Sequence, residues 1–297
     1  MTDGLLFTDT CKATATACNK KMKLSVIIPT LNEENYIGLL LDCLVNQTLK
    51  DFEVIIVDGN SSDGTKDKAL QFQGLLDIKF INAGKRGVAY QRNLGEQHAN
   101  TGHLLYMDAD GYVEDSFLEK IYKFIRTHQD VDVLTTWVSP ISEKKRDKFL
   151  FYAYNQFYLD VVKHWRPAGG GAFIYVKRKP FREVGGFDEK IVLAEDHDLI
   201  DRMHKKGFKY HLLKRPDIKT SVRRLEKQGR IKYIWDLSRS AIYIHLVGTI
   251  QDYNIFKYAM EGGSVYESVS HLTKIDLLKN LKERKVRGPV SPNKDNL

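Results

Sequence analysis

The 297 residues carry 46 Lys or Arg against 38 Asp or Glu, a net charge of +8, with 42% hydrophobic and 28% charged residues. That balance is ordinary for a globular chain, excludes a low-complexity or collagenous one, and is long enough to bury a full core in one or two domains. No window is apolar enough for long enough to span a bilayer, and three cysteines make a poor disulfide framework.

Residues 1–22 read as a flexible arm, rich in Thr, Ala and Lys and lacking the central apolar block of a signal peptide. Cys11 and Cys18 lie in it without the CxxC or His pair that would complete a zinc site. Together these features predict a cytoplasmic location. Residues 24–29 form a short β-branched run ended by proline, which predicts a buried parallel strand. Residues 34–45 follow at helical spacing, with Cys43 among the apolar positions, and 52–57 predict a second buried strand. A cluster of turn and capping residues at 58–64 closes that strand, and Ser62 with Asp63 is placed to cap a helix starting near Thr65. A third strand is predicted at 78–81, a helix at 86–98, and a fourth strand at 102–107 running into Asp108. Strands alternating with helices at this interval imply an α/β doubly wound sheet.

From 115 onward the pattern predicts a helix to about 127, a strand at 131–138 and an aromatic helical segment at 149–162. An apolar run at 172–176 sits between two glycine clusters. Beyond Ile218 the chain becomes basic and mainly helical, with a polar tail from Arg284 expected to be disordered. The positive charge is local: residues 202–239 hold thirteen Lys or Arg against three acids. Such a patch attracts any polyanion, but no helix-turn-helix, RRM or zinc pattern accompanies it, so nucleic acid is not an expected partner.

Ligands of doubly wound sheets sit beyond the carboxyl ends of the strands. Polar loops follow three of them: Pro29 to Glu33, Asp58 to Gly64, and Asp108-Ala109-Asp110. Two carboxylates at i and i+2 leaving a buried strand can face one hard cation, Mg²⁺ or Mn²⁺, whose shell a diphosphate completes; the competing reading is a turn and helix cap. Downstream, Glu195-Asp196-His197-Asp198 opens a helix. Acids there suit the helix dipole, and Asp196 is also a candidate general base for sugar transfer to a hydroxyl.

At these residues the chain resembles the inverting family 2 glycosyltransferases of the GT-A fold. The resemblance runs in order through Ser25 to Glu33, Val57 to Thr65, Arg92-Asn93, Asp108-Ala109-Asp110, Gly185-Gly186-Phe187-Asp188-Glu189 and Glu195-Asp196. It implies a Rossmann-like, doubly wound mixed sheet over about 23–220, followed by a helical basic extension at 221–283 and the tail at 284–297. It further implies a donor pocket at Pro29, Thr30, Glu33, Asp58, Arg86 and Asp108, metal binding by Asp110 with Asp108, and Asp196 as base. The implied partners are a nucleotide-sugar, with UDP-sugar the commonest donor type, and a glycan or lipid-linked glycan acceptor. Leu31 stands where many relatives carry tyrosine, which removes a base-stacking ring and leaves the base open.

Arg223 and Arg224 resemble an arginine pair found downstream in some relatives; they suit a diphosphate or phosphorylated acceptor, or else a solvated helical face. Gly169 to Gly171 suit a hinge, a tight turn or a close approach to the sugar. His197, His204 and His211 read as local hydrogen-bonding or solvent-facing histidines rather than metal ligands. Residues 231–250 form an amphipathic stretch expected to pack on the core, the alternative being peripheral contact with an anionic membrane at its inner face. Among other enzymes, a nucleotidyltransferase lacks its glycine- and basic-rich loop after the first strand here, and a dehydrogenase lacks GxGxxG. A catalytically silent relative would not need Asp108-Ala109-Asp110 and Asp196 together.

Overall fold

The computed structural model describes residues 24–252. The expected arm, the tail, Cys11, Cys18 and most of the expected extension lie outside them. The first half builds parallel strands β1 (Leu24–Thr30), β2 (Phe52–Asp58), β3 (Ile78–Asn82) and β4 (His103–Met107), separated by helices α1 (Ile37–Val45), α2 (Thr65–Leu70) and α3 (Val88–His98). A two-residue strand β5 (Gly111–Tyr112), helix α4 (Phe117–Thr127) and strand β6 (Val133–Pro140) follow. A continuous helical stretch then runs through α5 (Lys145–Ala153), a π-helical turn (Tyr154–Leu159) and α6 (Asp160–Val162). The remaining elements are β7 (Phe173–Lys177), α7 (Arg178–Glu183), α8 (Glu195–Lys205), β8 (Tyr210–Thr220), α9 (Arg223–Gln228) and α10 (Arg230–Leu246).

The eight strands form one mixed sheet in the order β3-β2-β1-β4-β7-β6-β8-β5. Its first four strands are parallel, β7 runs antiparallel to β4 and β6, and β8 pairs parallel with β6. After β3 the chain returns to the other side of β1, so the strand order reverses between β1 and β4. The crevice beyond their carboxyl ends is where such sheets bind ligands.

Both faces of the sheet are covered, which is why its strands read as unbroken apolar runs. On one face Val26, Ile28, Val54, Ile56, Leu105 and Met107 meet α1 and α4 through Leu40, Leu41, Leu44, Phe117 and Ile121. On the other, Ile27, Ile55, Val57, Leu104 and Tyr106 meet α3, α7 and α8 through Ala89, Phe181, Leu199, Ile200 and Met203. Burying about ten side chains of this size on each face supplies roughly 1.5–3 kcal/mol apiece.

Two differences from the sequence expectation bear on the site and the surface. The first is β8, an eleven-residue strand where no strand was expected. Its pairing with β6 shifts between Thr136 and Val138, so Lys214 to Asp217 stand out of register and interrupt the apolar pattern with charge and proline. The second is α10, which buries Ser240 and Ile244 and leaves Ile231, Trp235, Ile242 and Leu246 exposed. The expected packing on the core is met only in part: the core side of this helix carries Tyr233, Asp236, Ser240 and Ile244, while most of its large apolar side chains point outward.

Helix α3 reaches the sheet closely enough to hold site residues only because residue 95 has no side chain. A Cβ there would lie 2.3 Å from Ile27 Cγ2 and 3.2 Å from Val57 Cγ2, both β-branched and buried. Gly95→Ala gains about 1 kcal/mol of helix propensity but overpacks this contact. A net loss of about 1–3 kcal/mol is expected from urea denaturation, and an unchanged midpoint would mean that α3 can lift from the sheet freely.

Candidate active site

The loops after β1 and β2 are stitched together at the ends of paired strands, with Pro29 opposite Val57 and Thr30 opposite Asp58. Thr30 Oγ1 donates to Asp58 Oδ1 at 2.9 Å, and the Ser61 backbone N–H donates to Asp58 Oδ2 at 2.8 Å. Asn32, held at φ 51°, accepts from the Ser62 N–H through its side chain at 2.8 Å. Gln91 of α3 donates from one amide to the carbonyls of both Thr30 and Val57, at 2.8 and 2.7 Å. Asp63 accepts from the Thr65 N–H at 3.0 Å, the expected capping contact at the start of α2. Beside Asp58 opens a cleft of about 410 Å³ lined by Ser61, Lys66, Leu70, Phe80 and Asn82. Its mixture of an apolar wall, a ring and hydrogen-bonding groups suits a nucleoside. Arg86 is exposed in the loop between β3 and α3.

Asp108 to Gly111 form a tight turn closed by the Gly111 N–H on the Asp108 carbonyl at 3.0 Å. The turn places Asp108 and Asp110 at its first and third positions. Pairing of β5 with β8, Gly111 opposite Thr220, then lays the end of β8 against the turn. There Ser221 Oγ donates to Asp110 Oδ2 at 2.5 Å, and Arg223 Nε lies 3.4 Å from the same oxygen. Arg223 also grips Glu33 with two parallel hydrogen bonds, Nη1 to Oε2 at 2.6 Å and Nη2 to Oε1 at 2.8 Å, and its guanidinium stacks 4.6 Å from the Tyr36 ring centroid. Burial pushes the Glu33 carboxyl up to about 7 against the pull of Arg223, with Asp110 adding to the rise. Burial opposes the charge on Arg223 too, but Asp110 and Glu33 outweigh it and raise its pKa. The two directions agree physically: two carboxylates share one guanidinium, so the guanidinium stays charged and Glu33 takes up any proton. Arg224 is half-buried, and its charge acts on Asp108 and Glu33.

Between this turn and α8 sits Arg92, fully buried on α3. Its Nη1 donates to Glu195 Oε1 at 2.6 Å and its Nη2 to Asp108 Oδ1 at 2.9 Å, with the Gly171 carbonyl at 3.3 Å from Nη2. Burial raises Asp108, with Asp110 and Glu195 adding to it and Arg92 and Arg224 opposing, while one edge of the carboxyl remains open to the cleft. Glu195 is likewise raised by burial and by neighbouring Asp196, against Arg92. Asp196 lies beside them in the first turn of α8 and contributes to the electrostatics of Arg92, Tyr154 and Tyr158.

The glycines resolve into close approaches within the protein. A Cβ on Gly171 would stand 3.0 Å from Asp196 Oδ2, and one on Gly169 would meet Thr135 and Ile200 below 3.0 Å. Gly186, at φ 71°, lets the loop turn so that the Phe187 N–H donates to Asn93 Oδ1 at 2.9 Å while Asn93 Nδ2 donates to the Phe187 carbonyl at 2.9 Å. Arg92 and Asn93, adjacent on α3, thus tie down the carboxylate turn, the start of α8 and the glycine loop before it. The sequence pattern flags this pair without revealing Arg92 as the hub, because a single arginine in an amphipathic helix looks like a solvated one. His197 has its ring stacked on Tyr158 at 6.0 Å between centroids, and His211 is tilted against Phe124 at 5.5 Å.

Among the described residues no cluster of three or more His, Cys, Asp or Glu forms a closed metal cage. Asp108 and Asp110 offer oxygen donors alone, from one turn. That set fits Mg²⁺ or Mn²⁺, which keeps most of its octahedral shell for substrate oxygens and water.

The sequence profile of Glycosyl transferase family 2 matches residues 25–185. An amylovoran biosynthesis glycosyltransferase of Erwinia amylovora is 27% identical over 282 residues, covering 84% of this chain and 89% of its own. A mannosyltransferase from Pyrobaculum calidifontis, solved with GDP-Man and Mn²⁺, superposes with a TM-score of 0.60 at 21% identity, covering 90% of this chain and 76% of that one. Residues 1–349 of Staphylococcus aureus TarS, solved with UDP-GlcNAc, give 0.56 at 17% identity over 91% and 93%. Both structures share the mixed α/β GT-A fold.

Glu33 carries a pH prediction. Its folded pKa lies above the ordinary value, so its contribution to stability is full below about 4.5 and is lost as pH rises through about 7. Across that window Glu33→Gln is expected to remove about 1–3 kcal/mol of the wild-type decline in unfolding free energy. Parallel wild-type and variant curves would mean that Arg223 keeps Glu33 ionised throughout.

Proposed function

The chain belongs to glycosyl transferase family 2, and from that membership we propose that it is a metal-dependent inverting glycosyltransferase. It moves a sugar from a nucleotide-sugar to a hydroxyl of a glycan or lipid-linked glycan. The observation that carries this reading is Arg92, which joins Asp108 of the carboxylate turn to Glu195 at the start of α8. The carboxylate assigned to the donor and the proposed base, Asp196, are thereby both held near one buried guanidinium.

Pro29, Thr30 and Asp58 shape the nucleoside pocket, with the Asp58 carboxylate fixed by Thr30 and Ser61 to face a base edge. Glu33 and Arg223 support the floor beside Asp110, and Arg224, close to Asp108, is the arginine assigned to the diphosphate. Arg86, exposed at the rim, is assigned to the donor as an incoming anion. Asp110, with Asp108, would hold Mg²⁺ or Mn²⁺, which supplies positive charge to the diphosphate as it departs. Asp196 takes the proton of the acceptor hydroxyl as that oxygen bonds to the anomeric carbon. The bond from that carbon to the diphosphate oxygen breaks on the opposite face, so configuration inverts. No donor is hydrogen-bonded to the Asp196 carboxylate among the described residues, which leaves its lone pairs to the acceptor. Glu195, held by Arg92, orients the helix start and is not the base.

The related structures hold UDP-GlcNAc and GDP-Man. UDP-sugar is our first choice of donor, since Asp58 and a pocket of modest volume suit the smaller base. Calorimetry with UDP and GDP, each with Mn²⁺ and with chelator, tests donor and metal together. Binding is expected with metal and to be largely lost with chelator; equal affinity in both would remove the proposed role of Asp110.

For catalysis the decisive substitution is Asp196→Asn. It is expected to bind nucleotide as the wild type does and to lose transfer by about 10²- to 10⁴-fold. Near-normal turnover, or a product retaining the donor's anomeric configuration, would defeat the assignment. Glu195→Gln should lose less transfer but more stability, because it leaves Arg92 short of one buried partner.

A further inference from the structure

We propose that the outward side of α10 is a docking surface for an anionic lipid bilayer. On a helical wheel at 100° per residue, Ile231, Trp235, Ile242 and Leu246 fall within about 60° of one another. These side chains are 87%, 64%, 58% and 81% exposed, and they lie opposite Ser240 and Ile244, the buried positions of the same helix. Core packing therefore does not account for the stripe. Lys232 and Arg239 border it along one side, both exposed.

The α5–α6 stretch runs alongside and extends the surface. Arg230, at the start of α10, hydrogen-bonds Asp147 of α5 at 2.5 Å, and Arg166, just after α6, donates to the Ile244 carbonyl of α10 at 2.9 Å. The two helical stretches are thus pinned at both ends and run in the same direction for about 25 Å. The second stretch exposes Phe149, Phe157 and Val161, with Trp165 just beyond its end stacked on His245 of α10 at 5.3 Å.

Charge selects the occupant. On α5, α6 and α10, every exposed charged side chain is basic: Lys145, Arg146, Lys148, Lys232 and Arg239. Their acids are withdrawn, with Asp147 buried against Arg230, Asp160 paired with Lys163 and Lys214, and Asp236 half-buried; the exposed acid next to the stretch, Glu143 just before α5, is paired with Lys148. Apolar and indole side chains ringed by long cationic ones match the acyl boundary and headgroups of an anionic bilayer. The proposal does not depend on the reaction assigned above.

Co-sedimentation of the full chain with vesicles tests it, comparing phosphatidylcholine alone with phosphatidylcholine mixed with phosphatidylglycerol. Preferential partition into the anionic vesicles is expected, with a blue shift of tryptophan emission, since two of the three tryptophans lie on this surface. Trp235→Ser/Ile242→Ser/Leu246→Ser should lower the partition coefficient by about 10- to 100-fold with the thermal midpoint retained. Should that triple variant not fold, Lys232→Glu/Arg239→Glu decides, and it should abolish the preference for anionic vesicles. Failure of the wild type to partition, or equal partition by a folded variant, would overturn the proposal. So would a concentration-dependent dimer that the triple variant dissolves without any vesicle binding, which would give the face to a second copy.

Discussion

A guanidinium cannot be buried in an α/β core without partners, and Arg92 is buried at the point where this sheet reverses its strand order. Its partners arrive from far apart in sequence: Asp108 from the end of β4, Glu195 from the start of α8, and the Gly171 carbonyl from the entry to β7. Removing one of them would leave charge uncompensated at a cost of about 3–5 kcal/mol. The site is thereby locked to the core, since Gly95 on the same helix sets how deeply Arg92 can reach. Its position is a consequence of helix–sheet packing as much as of electrostatics.

A second guanidinium, Arg223, repeats the arrangement on the other side of the carboxylate turn. Arg92 faces Asp108 and Glu195, and Arg223 faces Asp110 and Glu33. Each arginine therefore serves more than one carboxylate, and the pocket keeps surplus negative potential at the turn. Unaided, that surplus would repel a diphosphate. A cation placed at the turn would reverse the sign locally, which is the electrostatic argument for the divalent metal proposed at this site. It also explains why Glu33, like Asp108 and Glu195, is pushed toward neutrality by burial.

The first half of the fold was legible because burial on both faces leaves a simple trace: continuous apolar strands ending at polar loops. β1, β2, β3 and β4 lie within about two residues of where that trace puts them. β8 was not legible, because Lys214 to Asp217 leave the register and carry charge and proline into the middle of a strand. Its loss hid more than one element, since β8 brings Ser221, Arg223 and Arg224 to the turn. From sequence these arginines could be read only as anion grips or as a solvated face; the bidentate contact of Arg223 with Glu33, 190 residues away, is a tertiary fact. Helix α10 misleads for the opposite reason. Amphipathic spacing gives an apolar stripe but not the side that faces the protein, and here contacts at Asp147 and Arg166 fix the helix by its polar side.

Those contacts also connect the exposed face of α10 to the candidate site. Helix α9 carries Arg223 to Glu33 and Asp110, and Gly229, at φ 80° and ψ 142°, turns the chain directly into α10. At its other end α10 places His245 against Tyr158, the ring that also stacks on His197 next to Asp196. A bilayer holding α10 would therefore bear on both sides of the cleft through short, packed connections, orienting the acceptor side toward the membrane plane. An acceptor carried on a lipid would then reach Asp196 without leaving the surface that holds it. A freely diffusing glycan would gain nothing from the same arrangement, so a bilayer-docked α10 would favour the lipid-linked member of the proposed acceptor pair.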